Sequence, residues 1–229
     1  MPTGLVFAGP MRITFVADDV FVQKDATGSR TPLQVRWSDT VPERQNPTII
    51  DLNGHNQSFA AFVSTANDSQ TSYFTSAEPA TLSVDQNVDT VSWKPAFCGA
   101  VSLKKGGANT LTLAGVSPST GRLEVSEGRL DFTGAGAWTN LSEVAVSGGV
   151  LAIADKKQVK KRADYYLSGG KLDIASGVRL TAENLYVADG QGGWTKADPG
   201  TYTAANLPEC ISGEGSLCVR GGGLMMIFR

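Results

Sequence analysis

Between Val101 and Val187 apolar and polar residues alternate in short runs that return at a nearly constant interval. One column reads Leu111-Thr112-Leu113, Leu130-Asp131-Phe132, Leu151-Ala152-Ile153 and Leu172-Asp173-Ile174, with steps of 19, 21 and 21 residues between first members. A second reads Val101-Ser102-Leu103, Leu123-Glu124-Val125, Val144-Ala145-Val146 and Tyr165-Tyr166-Leu167, with steps of 22, 21 and 21. A period of two within each run is that of a strand with one face buried. Gly-rich turns at Lys105-Gly106-Gly107, Ser126-Glu127-Gly128, Ser147-Gly148-Gly149 and Ser168-Gly169-Gly170 separate the two strands of each period. Glycine there admits the positive φ of a sharp corner.

Repetition at about 21 residues predicts an all-β coil, a β-solenoid in which each rung lies on the one before. A rung alone cannot bury its apolar side. Stacked about 4.8 Å apart, equivalent residues form continuous columns. Leu111, Leu130, Leu151 and Leu172 are one predicted inward column, and Thr112, Asp131, Ala152 and Asp173 its outward neighbour. A β-sandwich of short hairpins would also alternate, but would not keep so even a register.

Residues 1 to 47 carry less regular strands, Leu5-Val6-Phe7, Arg12 to Val16, Val20-Phe21-Val22 and Leu33 to Trp37, with polar turns such as Asp25 to Ser29. They are expected to form an irregular N-terminal cap, because an open solenoid end exposes unpaired strand edges. Residues 48 to 229 are expected to form the solenoid with its C-terminal capping strands. Asn53-Gly54 supplies an early turn, Asn67 to Gln70 a polar loop tip, and the tail from Gly221 to Arg229 an apolar cap.

The run Leu103 to Gly115, with Lys105-Gly106-Gly107 and Thr110-Leu111-Thr112-Leu113, followed by Thr120-Gly121-Arg122-Leu123-Glu124-Val125 and Gly128-Arg129-Leu130, resembles the autotransporter-associated β-strand repeat of bacterial surface and secreted proteins. That repeat reads K-x-G-x-G-T-L-x-L-x-G and then T-x-G-x-T-x-V-x-x-G-x-L. Ala108-Asn109 stands where a Gly is usual, and Ser117-Pro118-Ser119 replaces part of an Asn-Thr-Tyr stretch. The clear match covers Val101 to Phe132, with looser echoes from Val144 to Ile153 and from Pro199 to Leu217. The resemblance implies a right-handed parallel β-helix at the cell surface or outside the cell. It brings no common set of catalytic residues.

Composition fits this picture and excludes others. Twenty basic against 22 acidic side chains give a net charge of -2, so no global field favours nucleic acid. No apolar stretch approaches the roughly 20 residues of a membrane span. Met1 to Pro10 lacks the features of a secretory signal, so the chain is expected to begin inside a longer precursor and to work outside the cell or on its surface. Cys210 and Cys218, eight residues apart, could form a disulfide across a turn or remain two free buried thiols.

Candidate chemistry is sparse. A single histidine, His55, rules out a multi-His metal site, and no phosphate loop, nucleophile elbow or calcium repeat occurs, so no cofactor is expected. Asp131 and Asp173 share an outward column about 10 Å apart, slightly beyond the useful range for a glycoside hydrolase pair. Trp93, Trp138, Trp194, Tyr165 and Tyr166 lie near turns, where each could stack on a sugar or plug a corner of the coil. The segment Lys156-Lys157-Gln158-Val159-Lys160-Lys161-Arg162 is either a solvated corner or a contact for a sulfated, uronic or phosphorylated polymer. The expected function is that of a non-catalytic, secreted or surface-displayed β-helix, a structural or adhesion module. The alternative is a carbohydrate-active protein, whether binding module, hydrolase or lyase, acting on a polysaccharide or cell-surface glycan.

Overall fold

The computed structural model describes residues 5–8, 11–20, 33–36, 47–63 and 72–220. The expectations for Phe21-Val22, the turn at 25–29, Trp37, the loop tip at 67–70 and the tail at 221–229 lie outside these residues. The described chain is all-β and forms a solenoid of about 6 turns, built from parallel coils about 21 residues apart. Three faces run along it. The first stacks Gln57–Phe59, Ala80–Asp85, Val101–Gly106, Arg122–Val125, Glu143–Val146, Ala163–Leu167, Arg179–Ala188 and Ser216–Val219. The second stacks Thr90–Trp93, Thr110–Leu113, Arg129–Phe132, Val150–Ile153, Lys171–Ile174 and Ile211–Gly213. On the third, Arg12–Thr14, Ile49–Asp51, Tyr73–Thr75 and Ala96–Phe97 pair in parallel, and Val116–Ser117 and Ala137–Trp138 carry the face onward. Phe97 N donates to Ser117 Oγ at 3.1 Å across the join, and Trp138 forms a final parallel bridge to Val159. In the regular coils the third-face strands hold only two residues, too few for alternation to betray them in the sequence.

The predicted leucine column is observed. Leu111, Leu130, Leu151 and Leu172 are register partners in turn, Ile211 extends the column, and all are buried. Each such side chain contributes about 1.5–3 kcal/mol by leaving water. On the first face the register differs from the sequence alignment by two residues. Leu103, not Val101, pairs with Leu123, so Lys105 pairs with Val125 and faces inward. Lys105 and Gly106, read as part of a turn, are therefore the end of a strand, and the turn begins at Gly107 with φ 75°.

Lys105 is fully buried, and its ammonium caps a corner of the coil by donating to the carbonyls of Gly107 at 2.6 Å, Asn109 at 2.6 Å and Glu127 at 2.8 Å. Burial pushes its pKa down to about 8, with the charges of Glu127 and Asp89 opposing the shift. Gly128 sits over this cap with φ 64°, and a Cβ there would lie 2.4 Å from both Lys105 Nζ and Gly107 O. Only glycine lets the corner and its cation approach so closely.

Aromatic rings fill the interior towards the third face. Trp93 stacks on Phe62 at 4.4 Å, Phe97 stacks on Phe74 at 5.7 Å, and Trp138 lies nearly parallel to Phe97 at 5.0 Å. Ser117, the register partner of Trp138, is small enough to let that indole reach back one coil.

These positions make two tests. Leu151→Asp places an unpaired carboxylate inside the stack and should abolish cooperative folding, whereas Thr112→Lys on the outer face should shift stability by no more than about 0.5 kcal/mol in urea melts. Lys105→Met leaves the three carbonyls without their donor and should cost about 2 kcal/mol. The folded amine holds its proton less tightly than the unfolded one, whose pKa is 10.5. Wild-type stability from this group should therefore rise from pH 8 towards pH 10.5, and the gap to Lys105→Met should widen over that window.

Candidate functional site

The outward carboxylates of the second face are tied to one arginine. Arg129 Nε donates to Asp131 Oδ1 at 2.8 Å, and its Nη1 donates to Asp173 Oδ2 at 3.3 Å. Ala152, the register partner of Asp173, is small enough for the guanidinium to span two coils. On the first face Arg122 similarly lies 3.4 Å from both Glu124 and Glu143, and Lys104 lies 3.3 Å from Glu124. Such half-exposed pairs add little stability each.

The five predicted sugar-stacking residues separate into two groups. Trp93, Trp138 and Tyr165 are fully buried inside the coil, so their rings pack the core and present no face to a sugar. Tyr166 and Trp194 meet on the outer surface of the first face, with Trp194 edge-on to Tyr166 at 5.3 Å and 47% exposed. Tyr186 completes the cluster, stacked on Tyr166 at 4.7 Å and 12°. It stands one coil on in register, a signal the sequence offered as a second Tyr one period after Tyr166. The Arg122 guanidinium lies 5.8 Å from the Tyr166 centroid on the other side. Trp194 reaches the patch because Trp194–Lys196 folds back antiparallel on Arg179–Ala188. The Asp189 carboxylate closes that hairpin by accepting from the Gln191 and Gly193 amides at 2.8 and 2.9 Å, which holds its pKa below the usual value.

The lysine segment forms one wall of a cleft of about 610 Å³. Gln158 and Val159 turn inward and fix the segment to the coil. Trp138 N donates to Gln158 O at 2.7 Å, and Gln158 Oε1 accepts from Ala154 N at 2.7 Å and Asp155 N at 3.1 Å. Lys156, Lys157, Lys160 and Lys161 are exposed and line the cleft. Arg162 does not line it. With φ 71°, it is anchored through its amide to Thr181 O at 2.8 Å. Arg179, Thr139 and Thr181 complete the polar lining. The cleft exists because the next coil has no third-face strand. The chain passes from Lys171–Ile174 to Arg179–Ala188 through the short turn at 175–178, leaving Val159 as the last third-face position. Arg179 was missed in the sequence because nothing local marks a strand that is absent.

The remaining candidates lie apart. His55 Nδ1 is 3.2 Å from Asp18 Oδ1 in an exposed turn. Cys210 and Cys218 are not joined. Cys210 is buried, with its thiol pushed up by that burial, whereas Cys218 alternates with the inward Leu217 and Val219 and so lies on the outer face. Arg179 Nη2 donates to Cys218 Sγ at 3.2 Å and lowers its pKa. Burial raises the pKa of Cys98. Among the described residues no His, Cys, Asp and Glu grouping could hold a metal ion, and no helix is long and apolar enough to cross a membrane.

Comparison with protein-family models, with curated proteins and with solved structures gives no match. The thiol arrangement has a direct check. Mass spectrometry without reductant should find no cross-linked peptide, and Ellman's reagent should modify Cys218 before Cys98 and Cys210. Arg179→Met should slow that first reaction several-fold at pH 7.5, because the thiolate loses its donor.

Proposed function

We propose that this chain is a non-catalytic, secreted or surface-displayed β-solenoid that serves as a structural or adhesion module and holds neutral glycan chains against its outer aromatic patch. The observation that carries this reading is the exposed Trp194 set against the half-buried, mutually stacked Tyr166 and Tyr186 on the outer surface of the sheet, beside a Glu143 carboxylate already paired with Arg122. A flat ring covers the apolar C–H face of a sugar, and a pre-formed row of rings loses little entropy when an extended polymer arrives. The sequence resemblance to the autotransporter-associated repeat supports placement outside the cell.

The test is a pull-down on insoluble and soluble polysaccharides at low and high salt, with reducing ends and unsaturated products followed in parallel. Trp194→Ala should weaken retention about tenfold, and salt should change it little, since stacking carries no net charge. Product release that vanishes on replacing Asp131, Asp173 or His55 would favour the hydrolase or lyase instead. Retention unaffected by Trp194→Ala would remove the aromatic patch from the reading.

A further inference from the structure

We infer that the cleft beneath the Lys156 to Arg162 segment binds an acidic saccharide, a short sugar unit bearing sulfate or carboxylate, at a site separate from the aromatic patch. Three independent features converge there. The first is charge without neutralisation. Lys156, Lys157, Lys160, Lys161 and Arg179 line one cleft, and none forms an ion pair among the described residues. The nearest acid in the sequence, Asp155, accepts from the backbone N–H of Lys157 at 2.8 Å and bonds no lysine head. Among the described residues the Arg179 side chain bonds only the Cys218 sulfur. Five like charges held around one concavity repel each other, and an oxyanion relieves that repulsion.

The second feature is an unused donor. Tyr165 lines the cleft from inside the coil, and its hydroxyl is buried with no hydrogen-bond partner. Its register partners Val144 and Leu185 are apolar, so the column requires only an apolar body at this position. A phenylalanine would fill it without stranding a hydroxyl, whose burial unpaired is unfavourable. The hydroxyl therefore lacks a partner that an oxyanion or sugar oxygen in the cleft would supply.

The third feature is shape and lining. A volume of about 610 Å³ falls within the range of small-ligand sites, roughly 300–1,000 Å³. Val159 and Leu180 give the floor an apolar character suited to sugar C–H groups, and Thr139 and Thr181 add hydroxyls at the rim. No exposed aromatic face lines the cleft, so a nucleobase would find no stacking platform. Lysines act as compact point charges and suit the scattered oxyanions of an acidic glycan more than the planar bidentate geometry that arginine reads.

The experiment titrates the whole chain by calorimetry with a sulfated disaccharide, a uronic acid trisaccharide, a neutral trisaccharide, inorganic sulfate and a short single-stranded oligonucleotide. We expect at least one acidic saccharide to bind and the neutral one not to. We expect binding to fall at least tenfold between 50 and 300 mM salt. Lys160→Ala with Lys161→Ala should weaken it about tenfold, whereas Lys94→Ala on another part of the coil should not. Tyr165→Phe should weaken binding several-fold while leaving the melting temperature of the free protein unchanged or raised, an outcome a purely packing role would not give. Trp194→Ala should leave this binding intact, so failure here and failure of the aromatic patch are separable. Absence of binding to both acidic saccharides, equal affinity for inorganic sulfate, tighter binding of the oligonucleotide, or indifference to both the lysine pair and Tyr165→Phe would overturn the proposal.

Discussion

The parallel register between successive coils is the constraint on which everything else depends. Each strand takes its backbone hydrogen bonds from the coil before and offers them to the coil after, so an inward residue lies over an inward residue for the length of the solenoid. A slip of one residue would turn an entire leucine column to water. The corners must then be solved without disturbing the ladder, and they are solved polar. Lys105 gathers three carbonyls at one corner, and the Gln86 side chain bonds the Phe62 and Val88 carbonyls and the Thr90 hydroxyl near the neighbouring coil. These groups satisfy backbone atoms that turns leave without partners, which is why buried polar side chains sit at the ends of strands and apolar ones in their middles.

How far this could be read from the sequence follows from the length of each element. The four second-face strands from Thr110 to Ile174 each hold two inward apolar residues in four, so their period was visible and Leu111, Leu130, Leu151 and Leu172 fell in place. The first face was read with a two-residue error at its start, because Lys105 occupies an inward position and hides the alternation that continues through it. The third face was read at Arg12 to Val16 but was not legible in the regular coils. Val116–Ser117 and Ala137–Trp138 are held by their neighbours and by the aromatic interior, not by any local pattern.

The same reasoning explains the fate of the surface candidates. Standing near turns left Trp93 and Trp138 free either to stack on a sugar or to plug a corner of the coil, and both take the second place, fully buried. Tyr165 and Tyr166, adjacent in one strand, must face opposite ways, so one was bound to enter the core and the other to reach the surface. Alternation decides which, and Tyr165 shares its column with Val144.

Both proposed sites arise where the repeat is broken. A perfect solenoid presents flat faces, and flat faces bind poorly because they exclude little water. The hairpin that brings Trp194 over Tyr166 is an insertion after a first-face strand. The cleft is a deletion, a coil that returns to the first face without making its third strand. Insertion raises a ridge of rings, and deletion opens a hollow beneath Val159. In each case the regular coils on both sides fix the edges of the irregularity, so the side chains around it are held by a framework stabilised elsewhere. An unpaired cation or hydroxyl can persist in such a place, since the columns of the neighbouring coils keep the chain folded without its help. The buried Tyr165 hydroxyl belongs to that class, for it sits in a column whose stability needs only the ring.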